Sequence, residues 1–335
     1  MAAAVIDRAW RESSPDEVEQ DLGALWRELA AASAPVTRAV MGNLIVFRYH
    51  ERRARAAKSV AQSGDAALES VVALHPSRAV VIEHERGEHD PQAPFAAGVG
   101  ISVFGSTAAP YGVERIVIRS ACAEVSLPSI IRRFIHGDRP TSLWWTEDLS
   151  KSAPSDALVD LARQLVYDSR NWRNIRAGFR AIGPLAASKT IDLADLNWRR
   201  LAPFRRALVH AVSGLHIDHS SLTMNIVHRP GDAALAWLLA GWVVARLRLA
   251  PHEWPTIEEA RGAQEFLTLT VDDGVAEVTT ALNGHRVLIS QKGAPPVTVP
   301  AADEDPAEAV AAELRSLSRD TALAETIHAL TQHVR

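Results

Sequence analysis

Two adjacent tryptophans in the run Pro140-Thr-Ser-Leu-Trp-Trp-Thr-Glu-Asp-Leu149 constrain what this chain can fold into more than any other feature. The run reads as a strand, and successive side chains of an extended backbone leave on opposite faces, so Trp144 and Trp145 point to the two sides of a sheet. Two readings follow. Either the strand is buried on both faces, as in a layered α/β sheet, or one ring lines a cleft or a partner-binding surface, where tryptophan is enriched.

The neighbouring segments describe an α/β layer. Ser14-Pro-Asp-Glu17 supplies an N-cap, a first-turn proline and acidic first-turn residues, opening a helix through Ala32 with Val18, Leu22, Leu25, Trp26 and Leu29 on one face. The run from Thr37 fits either period at first and reads as a strand from Leu44 onward. A helix is predicted over 52–74, interrupted at Gly64-Asp65 and ended by His75-Pro76. Short strands follow at 78–83, 98–104 and 113–119, then a helix over 126–134 and the tryptophan strand at 141–145. Residues 1–14 show no strong pattern and are expected to form a flexible arm.

Past the linker-like Lys151-Ser-Ala-Pro-Ser155, helical patterns occupy 175–185, 198–213 and 233–249, with a strand over 220–227. Alternating runs at 265–271, 276–282 and 286–290 are separated by Asp272-Asp-Gly274 and Asn283-Gly284, which predict an antiparallel meander. Two helices opened by Asp305-Pro306 and Ser318-Arg-Asp320 finish the chain. At 335 residues the chain outgrows a single core. The fold class is therefore α/β with two domains: an N-terminal mixed α/β sheet layer over 15–168 and a C-terminal α+β domain with a meander over 169–335.

A formal charge of −4 gives no overall basic field, so no nucleic-acid partner is expected. The longest apolar stretch, 233–244, is too short to span a bilayer, and the amino terminus lacks the features of a secretory signal, so a cytoplasmic protein without membrane association is expected. Cys122 is the single cysteine, which excludes an intrachain disulfide and suggests a small buried filler.

Motifs that carry chemistry are missing from the sequence. It has no phosphate loop, no Rossmann glycine fingerprint and no Gly-x-Ser-x-Gly elbow. His75, His84 and His89 lack metal-ligand spacing, and in the group His216-Ile-Asp218-His219 a strand would turn His219 away from the other two. No catalytic set, metal or cofactor is expected. What stands out instead is tryptophan beside arginine: Trp144, Trp145, Trp172 and Trp198 with Asp168, Arg170, Arg173, Arg199 and Arg200. That composition suits a protein interface, or stacking and charge pairing with a phosphosugar or nucleotide.

At these residues the chain resembles the glucose-6-phosphate dehydrogenase assembly protein family, OpcA. The resemblance rests on Thr37-Arg-Ala-Val-Met-Gly-Asn-Leu-Ile-Val46, His75-Pro-Ser-Arg78, the Cys122–Pro128 run, Gly137-Asp-Arg-Pro-Thr-Ser-Leu-Trp-Trp145, Asp168-Ser-Arg170 and Asp195-Leu-Asn-Trp-Arg-Arg-Leu201. It covers residues 15–290 in the expected order. It implies a two-domain α/β protein without catalysis of its own that binds glucose-6-phosphate dehydrogenase, promotes its assembly or activates it allosterically, and so supports the oxidative pentose phosphate pathway and NADPH metabolism. A thiol switch discussed for cyanobacterial members cannot be intrachain here, because Cys122 has no second cysteine. Trp144, Trp145, Asp168, Arg170, Trp172, Trp198 and Arg199 are the candidate partner-binding or motif-core residues. The alternative is a phosphosugar- or nucleotide-binding sensor or enzyme built on the same Trp/Arg set.

Overall fold

The computed structural model describes residues 7–32, 35–50, 65–86, 95–188, 190–212, 222–272, 277–301 and 304–334. In chain order the first part runs β1 (Asp7–Ser13), α1 (Val18–Ala32), β2 (Thr37–Arg38), β3 (Gly42–His50), α2 (Ala66–Leu74), β4 (Ser77–Glu85), β5 (Ala96–Ser106), β6 (Ala109–Ser120), α3 (Leu127–Ile131), β7 (Thr141–Trp145), α4 (Asp156–Val159), β8 (Gln164–Tyr167), α5 (Ile175–Ala187) and β9 (Asp192–Asp195). The rest runs α6 (Leu196–Arg200), α7 (Ala202–Val212), β10 (Thr223–His228), α8 (Ala233–Leu247), β11 (Thr256–Glu259), β12 (Leu267–Asp272), β13 (Glu277–Asn283), β14 (Arg286–Gln291), β15 (Val297–Pro300), α9 (Pro306–Arg315) and α10 (Thr321–His333).

The first sheet has the order β1-β5-β6-β4-β3-β7-β8-β9, with β2 beside β6. Its stretch from β6 to β9 is parallel throughout. Numbered along the chain, that stretch reads 3-2-1-4-5-6, the doubly wound order whose direction of growth reverses between its first and fourth strands, here β3 and β7. Parallel strands of this kind are buried on both faces. Ile45, Phe47, Val80, Ile82, Leu143 and Trp145 enter one core. Leu44, Val46, Val81, Val166 and Ala194 enter the other, which Leu68 and Val71 of α2 and Val310 and Leu314 of α9 close. Trp144 packs against this second core, so the tryptophan strand is of the two-faced kind.

The second sheet has the order β11-β10-β12-β13-β14-β15. It is antiparallel except where β10 and β11 run parallel. The Asn283-Gly284 turn joins β13 to β14 as its sequence demands. Helix α7 packs on β13, β14 and β15, α8 on β10 and β11, and α10 on α8 and α5. The molecule is thus a mixed α/β protein with two sheets, the second mostly antiparallel.

Residues Asp7–Ser13, expected within the flexible arm, form β1 antiparallel to β5. The alternation there is of charged residues around one tryptophan, which hides a strand from an apolar count, yet Trp10 lies so close over Gly100 that a Cβ on that glycine would come within 2.5 Å of the ring. The boundary expected at 168/169 falls between β8 and β9, which pair in one sheet, and α9 returns from the far end of the chain to pack on α2. The helix expected over 52–74 begins at Ala66 among the described residues; 51–64, His89, His216-Ile-Asp218-His219 and 273–276 of the first hairpin turn lie outside them. No helix of the described residues is long and apolar enough to cross a membrane.

Candidate functional site

The sequence motifs Asp168-Ser-Arg170 and Asp195-Leu-Asn197 meet at the carboxyl ends of β8 and β9. An aspartate, Asp168 just after β8 and Asp195 at the end of β9, caps the turn that follows each strand. Asp168 accepts the Arg170 amide at 3.0 Å. Asp195 Oδ1 accepts the Asn197 amide at 2.9 Å and, across the sheet, the Ser169 amide at 3.1 Å. One carboxylate oxygen therefore ties the two motifs together. Burial, followed by the nearby charge of Asp168, raises the Asp195 carboxyl to about 7. Around it the Tyr167 hydroxyl and Asn197 Nδ2 are buried without a hydrogen-bond partner among the described residues.

Trp172 is buried beside this knot. Its ring stacks on Tyr167 with centroids 5.9 Å apart and meets Phe179 edge-on at 5.1 Å. The approach is possible because α5 carries glycine at 178, where a Cβ would stand 2.2 Å from Trp172 Cε3. Gly178→Ala is expected to lower the unfolding free energy by about 1–3 kcal/mol through overpacking, read by urea unfolding. Unchanged stability would show that the ring has room to move.

The other candidate residues divide between core and surface. Trp145 is 1% exposed, stacks on Phe47 at 4.2 Å with an interplanar angle of 8°, and donates from Nε1 to the Ser152 carbonyl at 3.0 Å. Trp198 is buried, donates to Asp320 at 2.8 Å and carries the Arg205 guanidinium on its face at 3.5 Å. Arg199 grips both oxygens of Glu304 at 2.6 and 2.8 Å and reaches Glu313 at 3.1 Å, linking α6 to α9. Arg170 is exposed, as are Arg173 and Arg176. The loop that presents them is pinned from behind: the Arg173 amide donates to Asp148 at 3.1 Å and the Asn174 amide to Ser150 at 3.2 Å. The tryptophans thus hold shape, and the arginines after β8 face outward.

Two side chains of a further feature escaped the sequence reading. A cleft of about 1120 Å³ between α6, α7 and the rim of the second sheet is lined by Arg199 and Arg200 but also by Arg205 and Arg206. The signal was there as a repeat six residues apart, Trp198-Arg-Arg and Phe204-Arg-Arg.

The doubly wound order raises the question of a dinucleotide. In such sheets the pyrophosphate sits on a glycine-rich turn after the first strand. Here 51–64 has no glycine before Gly64. At the switch point, Glu147 after β7 accepts the Tyr49 amide at 2.8 Å and the Arg86 guanidinium at 2.9 Å. A carboxylate stands where a pyrophosphate would need donors, so these residues do not fit a dinucleotide.

Comparison with known proteins decides the family. Two family models match in tandem, the glucose-6-phosphate dehydrogenase subunit N-terminal domain over residues 69–183 and its C-terminal domain over 191–327. The chain belongs to the OpcA family of glucose-6-phosphate dehydrogenase assembly proteins. A putative OxPP cycle protein OpcA from Nostoc punctiforme is 27% identical over 150 residues, an alignment that spans 39% of this chain and 29% of that relative. Among solved structures, UDP-N-acetylglucosamine 3-dehydrogenase GnnA from Acidithiobacillus ferrooxidans shares 10% identity over 61% of this chain and 79% of its own, with a TM-score of 0.36. The transcriptional regulator Gal80p from a Kluyveromyces yeast shares 6% over 88% of this chain and 85% of its own, with a TM-score of 0.38. Likeness at that level defines neither a common fold nor a common activity. The family assignment rests on the tandem domain matches, and the aligned stretch spans less than a third of the curated relative's length.

Proposed function

We propose that this chain is a non-catalytic, cytoplasmic partner of glucose-6-phosphate dehydrogenase that binds the assembled, more active form of the enzyme preferentially. Differential affinity of that kind shifts the population of the enzyme toward the form bound, which is what an assembly factor or allosteric activator must do. The observation that carries the reading is the family match over both halves of the chain. The docking edge we assign is the arginine loop after β8. Arg170, Arg173 and Arg176 are exposed there and make no ion pair among the described residues, while Asp168, Trp172 and the Asp148–Ser150 turn fix the backbone that presents them. Such an edge suits an acidic face of the enzyme, and complementary charge chiefly accelerates encounter.

The test is the cognate dehydrogenase mixed with the wild-type chain or with Arg170→Glu/Arg173→Glu. The double variant should keep its thermal stability, because neither side chain packs, yet bind at least about tenfold more weakly, with the difference shrinking at high salt. Unchanged binding and activation by the double variant would remove this edge from the interface. Failure of the wild-type chain to change either the rate or the size of the enzyme would remove the reading itself.

A further inference from the structure

We infer that the arginine-lined cleft between α6, α7 and the second sheet is a binding site for a small phosphate ester, a site separate from the docking edge after β8. Four arginines and two glutamates, Glu304 and Glu308, line the cleft. Two of the four cations are already compensated. Arg199 holds both oxygens of Glu304, and Arg200 donates to Asn197 Oδ1 at 2.9 Å with Asp232 at 3.7 Å.

Arg205 and Arg206 are different. Neither makes an ion pair among the described residues. The Arg205 guanidinium lies over the Trp198 ring, 3.5 Å from its centroid, and its Nε is buried without an acceptor among the described residues. Arg206 Nε reaches only the Ala202 carbonyl, at 3.4 Å. Burial and the neighbouring cations Arg206 and Arg246 push the Arg205 pKa down to about 10, against the pull of Asp320. A positive group is held here at a cost, on a wall already fixed by stacking. An unexposed donor without an acceptor adds to the cost of holding this cation, and an anion in the cleft against the Arg205 and Arg206 guanidinium groups would offset their uncompensated charge.

The shape and the remaining walls narrow the ligand. The fork of a guanidinium matches the oxygens of a phosphate in pairs, and phosphate carries the double charge that two adjacent arginines can balance. Trp242, largely buried, and Phe266, which carries Arg229 on one face, add apolar lining to the same cleft, against which the ring of a sugar or base can pack. The volume of about 1120 Å³ lies just above the range of small-molecule clefts, which run to roughly 1,000 Å³. Free phosphate would satisfy the arginines but leave the aromatic walls uncovered, so an ester should bind more tightly than the ion.

Titration calorimetry at low ionic strength tests this with three probes: glucose 6-phosphate, adenosine 5′-monophosphate and inorganic phosphate. At least one ester is expected to bind with a dissociation constant of about 1 mM or below, and more tightly than inorganic phosphate. Arg206→Glu, at an exposed position, should weaken that ester about tenfold or more, and Arg205→Lys should weaken it severalfold by keeping the charge but losing the fork. Arg170→Glu, outside the cleft, should leave it unchanged. The inference is overturned if neither ester binds, if Arg206→Glu binds as well as wild type, or if Arg170→Glu weakens the ester equally. It is also overturned if Arg206→Glu abolishes capture of the dehydrogenase while no probe binds the wild type, which would make the cleft part of a protein interface.

Discussion

Trp145→Ala is expected to lower the unfolding free energy by about 3–5 kcal/mol, the range for truncating a large buried aromatic residue. Three terms act in the same direction. The ring is 1% exposed, so its transfer from water is lost and a cavity replaces it. The parallel stack on Phe47 at 4.2 Å is lost with it, and such pairs add about 0.5–1.5 kcal/mol beyond burial. The Ser152 carbonyl loses the Nε1 donor at 3.0 Å. Trp145→Phe should recover most of the loss, since it keeps the stack and surrenders only the hydrogen bond and part of the volume. Urea unfolding followed by far-ultraviolet dichroism reads all three proteins. If the alanine variant proved as stable as wild type, the ring would not be the core element that its packing indicates. The consequence for function is direct: reduced capture of the dehydrogenase by Trp145→Ala would report a weakened fold rather than a lost contact. Arg170 and Arg173 can be changed without that ambiguity, because their side chains are exposed.

How much of this was legible in the sequence depends on where each element's partners come from. The bounds of β7 follow from Pro140 on one side and Thr146-Glu-Asp148 on the other, and the observed strand is Thr141–Trp145. The meander was legible because each strand alternates and Asn-Gly marks its turn. The sequence places Trp144 and Trp145 on opposite faces, but it cannot say that both faces are covered, since the core against which Trp144 packs is completed by α9, from more than 150 residues later. Strand β9 escaped for a different reason. Asp-Leu-Ala-Asp is too short and too acidic to read as a strand, and its pairing with β8 at the edge of the sheet comes from tertiary context. The same holds for the site. Asp168-Ser-Arg170 and Asp195-Leu-Asn197 stand out as motifs, whereas the shared oxygen that joins them appears only when β8 and β9 lie side by side.

That shared carboxylate leads to the second large effect, a stability that falls as pH rises. Asp195 is buried, with a native carboxyl near 7 against an ordinary value of 3.8. Between those two values the native state binds the proton more tightly than the unfolded chain, so stability is lost as pH climbs from about 4 to about 7 and is level above that. At 1.36 kcal/mol for each pH unit between the two values, the loss is on the order of 4 kcal/mol. Asp195→Asn removes the charge and keeps the Oδ1 acceptor for the Ser169 and Asn197 amides, while the Ser169 hydroxyl can turn to accept from the new amide. The variant should therefore be more stable than wild type above pH 7, by up to about 4 kcal/mol, and should differ little from it near pH 4. The difference between the two curves is the diagnostic quantity. His75, His136 and His333, each lowered by burial and by a nearby arginine, make both proteins less stable as pH falls through and below the ordinary histidine value, and their contribution cancels. Asp195→Ala serves as the counter-test: it also removes the charge but strips the acceptor from both amides, so it should be less stable than Asp195→Asn at every pH. Parallel profiles for wild type and Asp195→Asn from pH 4 to pH 8 would mean that the carboxyl titrates in its ordinary range, and that the hydrogen bonds to Oδ1 outweigh the cost of burying its charge.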